Sequence, residues 1–82
     1  MRTIKRYSNL KLYDTYARQR VTLHALAALI RHGEEIEVVD HKTGRDLTAV
    51  TLAQVIFEEE KASPRLSIEV LSNLIKSRAS TT

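Results

Sequence analysis

Residues 4–15 read IKRYSNLKLYDT. Lys5, Arg6 and Lys11, with Arg2 just before them, surround Tyr7 and Tyr13, and the only acid in the stretch is Asp14. Ile4, Leu10 and Leu12 supply apolar anchors. A basic segment anchored in this way is structured backbone that presents cations and phenols to something negative, not a loose tail. β-Branched and aromatic content marks residues 3–7 as a short strand. Ser8-Asn9 signals a turn, because asparagine tolerates the left-handed region. Residues 10–14 alternate, with Leu10 and Leu12 on one face and Lys11 and Tyr13 on the other, which is the pattern of a half-buried strand. Residues 20–22 can add a third short strand. The expectation is a basic hairpin or small meander in which Leu10 packs beside Leu12.

The charge of the whole chain is organised around this stretch. Residues 1–20 hold six Lys/Arg (Arg2, Lys5, Arg6, Lys11, Arg18, Arg20) against one acid, a balance of +5. The remaining residues hold seven against nine, a balance of −2, and the total is +3. Such asymmetry points to a basic face with a polyanionic partner, against the plainer reading of a solvated basic surface. At 82 residues one domain is the default, and a chain of this length buries too little surface to be robust alone. It has one Phe, no Trp and no Cys, so neither a large aromatic core nor a disulfide or thiolate zinc site adds stability. Oligomerisation is the remaining source of burial. The start is basic with no apolar stretch after it, and the longest apolar run, Ala25 to Ile30, is far short of a membrane span. The expectation is a soluble, cytoplasmic protein with no membrane partner.

Further along, Thr22 can cap a helix over 23–32. Leu23, Leu26, Ala27 and Ile30 form its face and Gly33 is the stop. Ile36 to Val39 reads as a strand, DHKTG (40–44) as a turn and Arg45 to Leu47 as a returning strand, which makes a second hairpin. Thr48 or Thr51 can cap a second helix running to about Lys61. Its apolar residues, Leu52, Val55, Ile56 and Phe57 among them, cover more than one stripe. A helix apolar on most sides is buried on most sides, so these four are assigned to a subunit interface. Ser63-Pro64 separates a third helix, capped by Ser67, with Ile68, Leu71, Leu74 and Ile75 on its face and its end near Arg78. The tail SRASTT has the composition of disorder or of a domain boundary. The fold class is therefore α+β: a basic N-terminal hairpin, a helix, a second hairpin and two C-terminal helices.

Four stretches carry a family resemblance. IKRYSNLKLYDT resembles the opening of polyhydroxyalkanoate synthesis repressors (PhaR-like), which reads close to I-K-R-Y-x-N-R-K/R-L-Y-D-T. Ile4, Lys5, Arg6, Tyr7, Asn9, Lys11, Leu12, Tyr13, Asp14 and Thr15 match. Leu10 departs, standing where the family usually has Arg. The similarity continues through VVDHKTGRDLT (38–48), where the family reads much like VVDAKTGEDIT, and through QVIFEEE (54–60) and LSNLIKS (71–77). The resemblance implies a bacterial transcriptional repressor that binds promoters of phasin and polymer-synthesis genes and is released by binding the polymer granule. It sets the DNA-binding domain at residues 1–62. Residues 63–82 are then a helix and tail, either the start of a polymer-binding region or an oligomerisation helix. Members usually extend well past this length.

The chemistry agrees with a DNA partner without requiring the resemblance. Cations neutralise phosphates and release counterions. Tyr and Asn position the protein on phosphates. Arg or Lys can read guanine and Asn can read adenine in a major groove entered by a two-stranded ribbon. The assigned DNA-binding residues are Arg2, Lys5, Arg6, Tyr7, Asn9, Lys11, Tyr13, Arg18 and Arg20, with double-stranded promoter DNA and a second copy of the chain as partners. His24, His32 and His41 have no ligand-like spacing, so no metal and no cofactor are expected. Tyr7, Tyr13 and Tyr16 could stack single-stranded bases, although half-buried hairpin tyrosines are commoner. Glu58 to Glu60 read as a solvated helix end, and Asp40 and Asp46 as ordinary turn residues. No catalytic arrangement is present, so an enzyme is not expected. The competing readings are an oligomeric module whose basic face docks an acidic protein, and a sequence-independent RNA binder.

Overall fold

Alternation and turn chemistry build the N-terminal sheet in the computed structural model, which describes residues 1–79. Strand β1 (Arg2–Arg6) pairs antiparallel with β2 (Leu12–Asp14), with Ile4 opposite Asp14, Lys5 opposite Tyr13 and Arg6 opposite Leu12. The connection is tight. Leu10 N donates to Tyr7 O and Tyr7 N to Lys11 O, both at 2.9 Å, and Asn9 Oδ1 accepts Lys11 N at 3.2 Å. Closing this three-residue loop places Leu10 in the left-handed region at φ 62. Leu10 is therefore in the turn and 64% exposed, not packed beside the buried Leu12 as the alternation predicts. Strand β3 (Gln19–Val21) returns beside β2, with Tyr13 opposite Arg20, after a loop in which Arg18 is also left-handed at φ 56.

Helix α1 (Leu23–Arg31) starts at the expected cap, where Thr22 Oγ1 accepts Ala25 N at 3.0 Å. It stops at Gly33, φ 95, with Gly33 N bonded to Ile30 O and Glu34 N to Leu29 O. That pair of bonds is the Schellman closure, which needs the left-handed residue that glycine supplies. Strand β4 (Ile36–Asp40) then enters the sheet parallel to β1, with Ile4 opposite Val38 and Arg6 opposite Asp40, which gives the order β3-β2-β1-β4. The second hairpin is short. Asp40 N bonds Arg45 O, Leu47 N bonds Val38 O, and the returning arm forms one bridge, Val39 to Asp46.

Helix α2 (Thr48–Ala62) begins inside that return. Neither threonine caps it. Thr48 Oγ1 accepts Val38 N at 2.8 Å and so ties the helix to β4. Thr51 is fully buried and donates to Leu47 O at 2.7 Å. Thr48 Oγ1 is thus held by β4 and Thr51 Oγ1 also accepts from Arg6 of β1, while Asp46 Oδ1 takes Thr48 N at 2.9 Å. Helix α3 (Ile68–Ala79) is capped by Ser67 as the sequence suggests, Val70 N donating to Ser67 Oγ at 3.1 Å. It runs through Ser77–Ala79 of the tail, and residues 80–82 lie outside the described residues.

The core lies between the sheet and the first two helices. Ile4, Leu12 and Val38 from the strands meet Leu26 and Ala27 of α1 and Val55 of α2, with Val21, Leu23, Ile36 and Leu47 at its margin. Because strand side chains alternate, the opposite face of the sheet carries the other set: Thr3, Lys5, Tyr13, Arg20, Glu37 and Val39. No helix among the described residues is long and apolar enough to cross a membrane.

Candidate nucleic-acid interface

The uncovered sheet face gathers the basic and aromatic residues. The strand registers put Val39, Lys5, Tyr13 and Arg20 in one row across all four strands. Lys5 and Arg20 are exposed and Tyr13 is half-buried between them. Directly opposed residues sit about 5 Å apart, so the row is two cations around a phenol. Tyr7, Asn9, Lys11, Tyr13 and Arg20 line one shallow depression at the end of this face. Asn9 is exposed in the hairpin loop. Its Oδ1 accepts Lys11 N. Arg18 is exposed in the β2–β3 loop.

Two of the sequence-assigned arginines are used differently. Arg2 and Arg6 alternate with Thr3 and Lys5, so they lie on the helix side of β1. Arg2 donates to Asp14 Oδ2 at 2.6 Å, reaches Glu34 at 3.4 Å, and its guanidinium lies over the Tyr16 ring at 4.8 Å. Asp14 is only 2% exposed and also accepts Tyr16 N and Ala17 N. The Arg2 hydrogen bonds hold its carboxyl below the usual carboxylate range. Desolvation opposes them, and the two loop N–H groups add to the lowering. Arg6 donates through Nη1 to Thr51 Oγ1 at 2.8 Å, which fixes β1 to α2. These two side chains brace the sheet from behind while Lys5, Lys11 and Arg20 remain at its front.

One residue absent from the sequence assignment joins the face. His41 N donates to Arg6 O, and its ring stacks on Tyr7 with centroids 4.0 Å apart and planes 25° apart. The contact follows from the parallel β1–β4 pairing, for which the local sequence carries no signal. The four residues assigned to a subunit interface also divide. Val55 belongs to the core of its own chain and Leu52 is half-buried, while Ile56 and Phe57 are 49% and 61% exposed. Glu59 pairs with Arg31 of α1 at 2.6 Å, and Glu60 accepts Arg65 N and Leu66 N at the α2–α3 link. The acidic helix end is thus engaged within the chain.

A small α+β scaffold with one sheet face packed and the other left cationic defines a binding domain. Residues 3–63 match the family described as PHB/PHA accumulation regulator DNA-binding domain, and the chain belongs to that family. It is thereby a DNA-binding domain of the kind found in regulators of polymer accumulation. Two curated relatives are each 34% identical over 76 residues, or 92% of this chain. One is an uncharacterised protein of Allochromatium vinosum and the other is named an uncharacterised protein in the phbA 5′ region of Thiocystis violacea. The chain spans about half the length of both, 50% and 55%. No solved structure matches it.

Proposed function

We propose that the chain binds double-stranded promoter DNA through the uncovered sheet face and its hairpin loop, and so represses genes of polyhydroxyalkanoate storage. The observation that carries this reading is the cross-strand row Lys5–Tyr13–Arg20 on the face that no helix covers among the described residues. Lys5, Lys11, Arg18 and Arg20 neutralise phosphates, and the tyrosines and Asn9 fix register. Lys and Arg at the crest of a sheet are placed to read guanine edges in the major groove. Arg2 and Arg6 serve the same surface by holding β1 in place. In this reading the regulated genes encode phasins and polymer-synthesis enzymes, which accords with the phbA 5′ region in one relative's name. Polymer binding relieves repression, the protein works in the cytoplasm, and residues 63–82 begin the part that joins polymer or partner.

Self-association completes the proposal. Helix α3 exposes Ile68, Val70, Leu71, Leu74 and Ile75, and α2 exposes Ile56 and Phe57 on the same chain. A lone 12-residue helix is marginal in water, so α3 requires cover. A second copy supplies it and brings two basic faces into one assembly, suited to half-sites about one helical turn apart.

The test is a titration of the chain with promoter duplex, random duplex and RNA over a range of salt. The expected result is tighter binding to promoter duplex and a steep fall in affinity with salt, roughly −0.9 in log–log slope per phosphate contacted. Equal affinity for all three nucleic acids, or binding that ignores salt, refutes it.

A further inference from the structure

We infer that the turn after β4, residues 41–45, is a second contact arm of the duplex-binding surface, with Lys42 and Arg45 on DNA phosphates and His41 fixing the arm beside Tyr7. The inference rests on the duplex reading above and adds a segment that lies outside the basic N-terminal stretch. Its starting point is the parallel pairing of β1 and β4. Arg6 lies opposite Asp40, and His41 N donates to Arg6 O at 2.9 Å, so residue 41 is drawn alongside Tyr7. The Tyr7–His41 ring stack, at 4.0 Å, holds it there. Tyr7 also opens the 8–10 loop through its bonds to Leu10 and Lys11. The two turns therefore leave the same end of the sheet, one on each side of Tyr7.

The turn is rigid and its charges are sorted. Asp40 Oδ2 accepts Lys42 N at 3.0 Å, Thr43 N at 2.8 Å and Thr43 Oγ1 at 3.1 Å. Gly44 takes the left-handed conformation at φ 75 and donates to Asp40 O, and Arg45 N donates to Thr43 Oγ1. Asp46 is spent on Thr48 N. Both carboxylates are thus turned onto the backbone of their own turn, and these hydrogen bonds hold both below the usual carboxylate range. Glu37, the acid on the neighbouring stretch of β4, takes the Thr3 hydroxyl at 2.8 Å. Lys42 and Arg45 are exposed, and neither forms an ion pair among the described residues. A preformed turn loses little entropy when its cations meet an anion. Cations on two turns at one sheet end suit an extended polyanion that passes both, whereas a small anion needs only one of them.

The experiment compares the full chain with a Lys42→Ala/Arg45→Ala variant. Promoter and random duplex are titrated at several salt concentrations, with thermal melts as the folding control. Phosphate contacts carry no sequence information. The variant is therefore expected to melt like the parent, to lose affinity by the same factor on both duplexes, and to show a log–log salt slope shallower by about 2. If the parent binds duplex and a Lys5→Ala/Arg20→Ala variant loses affinity while Lys42→Ala/Arg45→Ala keeps both affinity and slope, the second arm is overturned and the sheet-face reading stands. If the parent itself binds no duplex, the reading beneath it fails as well.

Discussion

Leu10 occupies a backbone conformation that glycine adopts without cost. A β-carbon in the left-handed region costs roughly 1–2 kcal/mol, and Leu10, at φ 62 and largely exposed, recovers little of it through packing. Leu10→Gly is therefore expected to raise stability by about 1 kcal/mol, read by denaturant titration. Leu10→Arg is expected to leave the melting temperature nearly unchanged and to tighten duplex binding, because it adds a cation at the tip of the proposed contact loop. A large drop in melting temperature would show that the leucine packs after all. Asp14 gives a second residue-level prediction. Its folded carboxyl is depressed, chiefly by Arg2, so it adds stability above its unfolded pKa of about 3.9. That contribution disappears as pH falls through the lower folded value. Asp14→Asn should cost about 2 kcal/mol at neutral pH and flatten the acid limb of a melting-temperature profile below the ordinary carboxylate range. An unchanged acid limb would move the effect to other carboxylates.

Helices α1 and α3 differ in what holds them. Every boundary of α1 is local: a Thr22 cap, an apolar face ending on Leu26 and Ala27 in the core, and the Gly33 closure. Thr22→Ala should cost about 1 kcal/mol with no change in DNA contact, measured by melting and by duplex titration. Helix α3 has a good cap at Ser67 and a cationic end, yet its apolar residues face solvent, Ile68 at 83%. Its helicity should depend on association. The far-UV helical signal is expected to fall on dilution, and Leu71→Asp to produce the same loss at high concentration. A signal independent of both would mean that α3 is stable alone. The local patterns for α1 and α3 were legible because caps, 3.6-residue periodicity and a glycine stop all lie within a few residues of one another. The cap of α2 was not legible, since Thr48 and Thr51 found partners in β4 and β1 instead.

Across the described residues, stability rests on a small core. Leu26→Ala should cost about 2–5 kcal/mol, a large share of the stability of so short a domain. The two faces of α2 make separate predictions. Val55 is in the core, so Val55→Asp should unfold the chain at any concentration. Ile56 is half exposed within one chain, so Ile56→Asp should leave a folded monomer where the parent sediments as an oligomer at micromolar concentration. A parent that sediments as a folded monomer would remove the self-association proposal. An Ile56→Asp variant that unfolds would place that side chain in the core.

Local order in the chain wrote the strands, the turns, the caps of α1 and α3 and the excess of cations at the N-terminus. Its motif, IKRYSNLKLYDT with VVDHKTGRDLT, carried the family. These signals have periods of two or 3.6 residues, or are short fixed strings, and need no knowledge of distant neighbours. Folding settled which of the cations remain available. Arg6 meets Thr51, 45 residues away, and Arg2 meets Glu34, 32 residues away. Tyr7 meets His41 because β4 chose the free edge of β1 and ran parallel to it. Such pairings follow from which apolar faces must be buried together. Ile4, Leu12 and Val38 turned inward against Leu26 and Val55, and the alternation of the strands then left Lys5, Tyr13 and Arg20 on the open side.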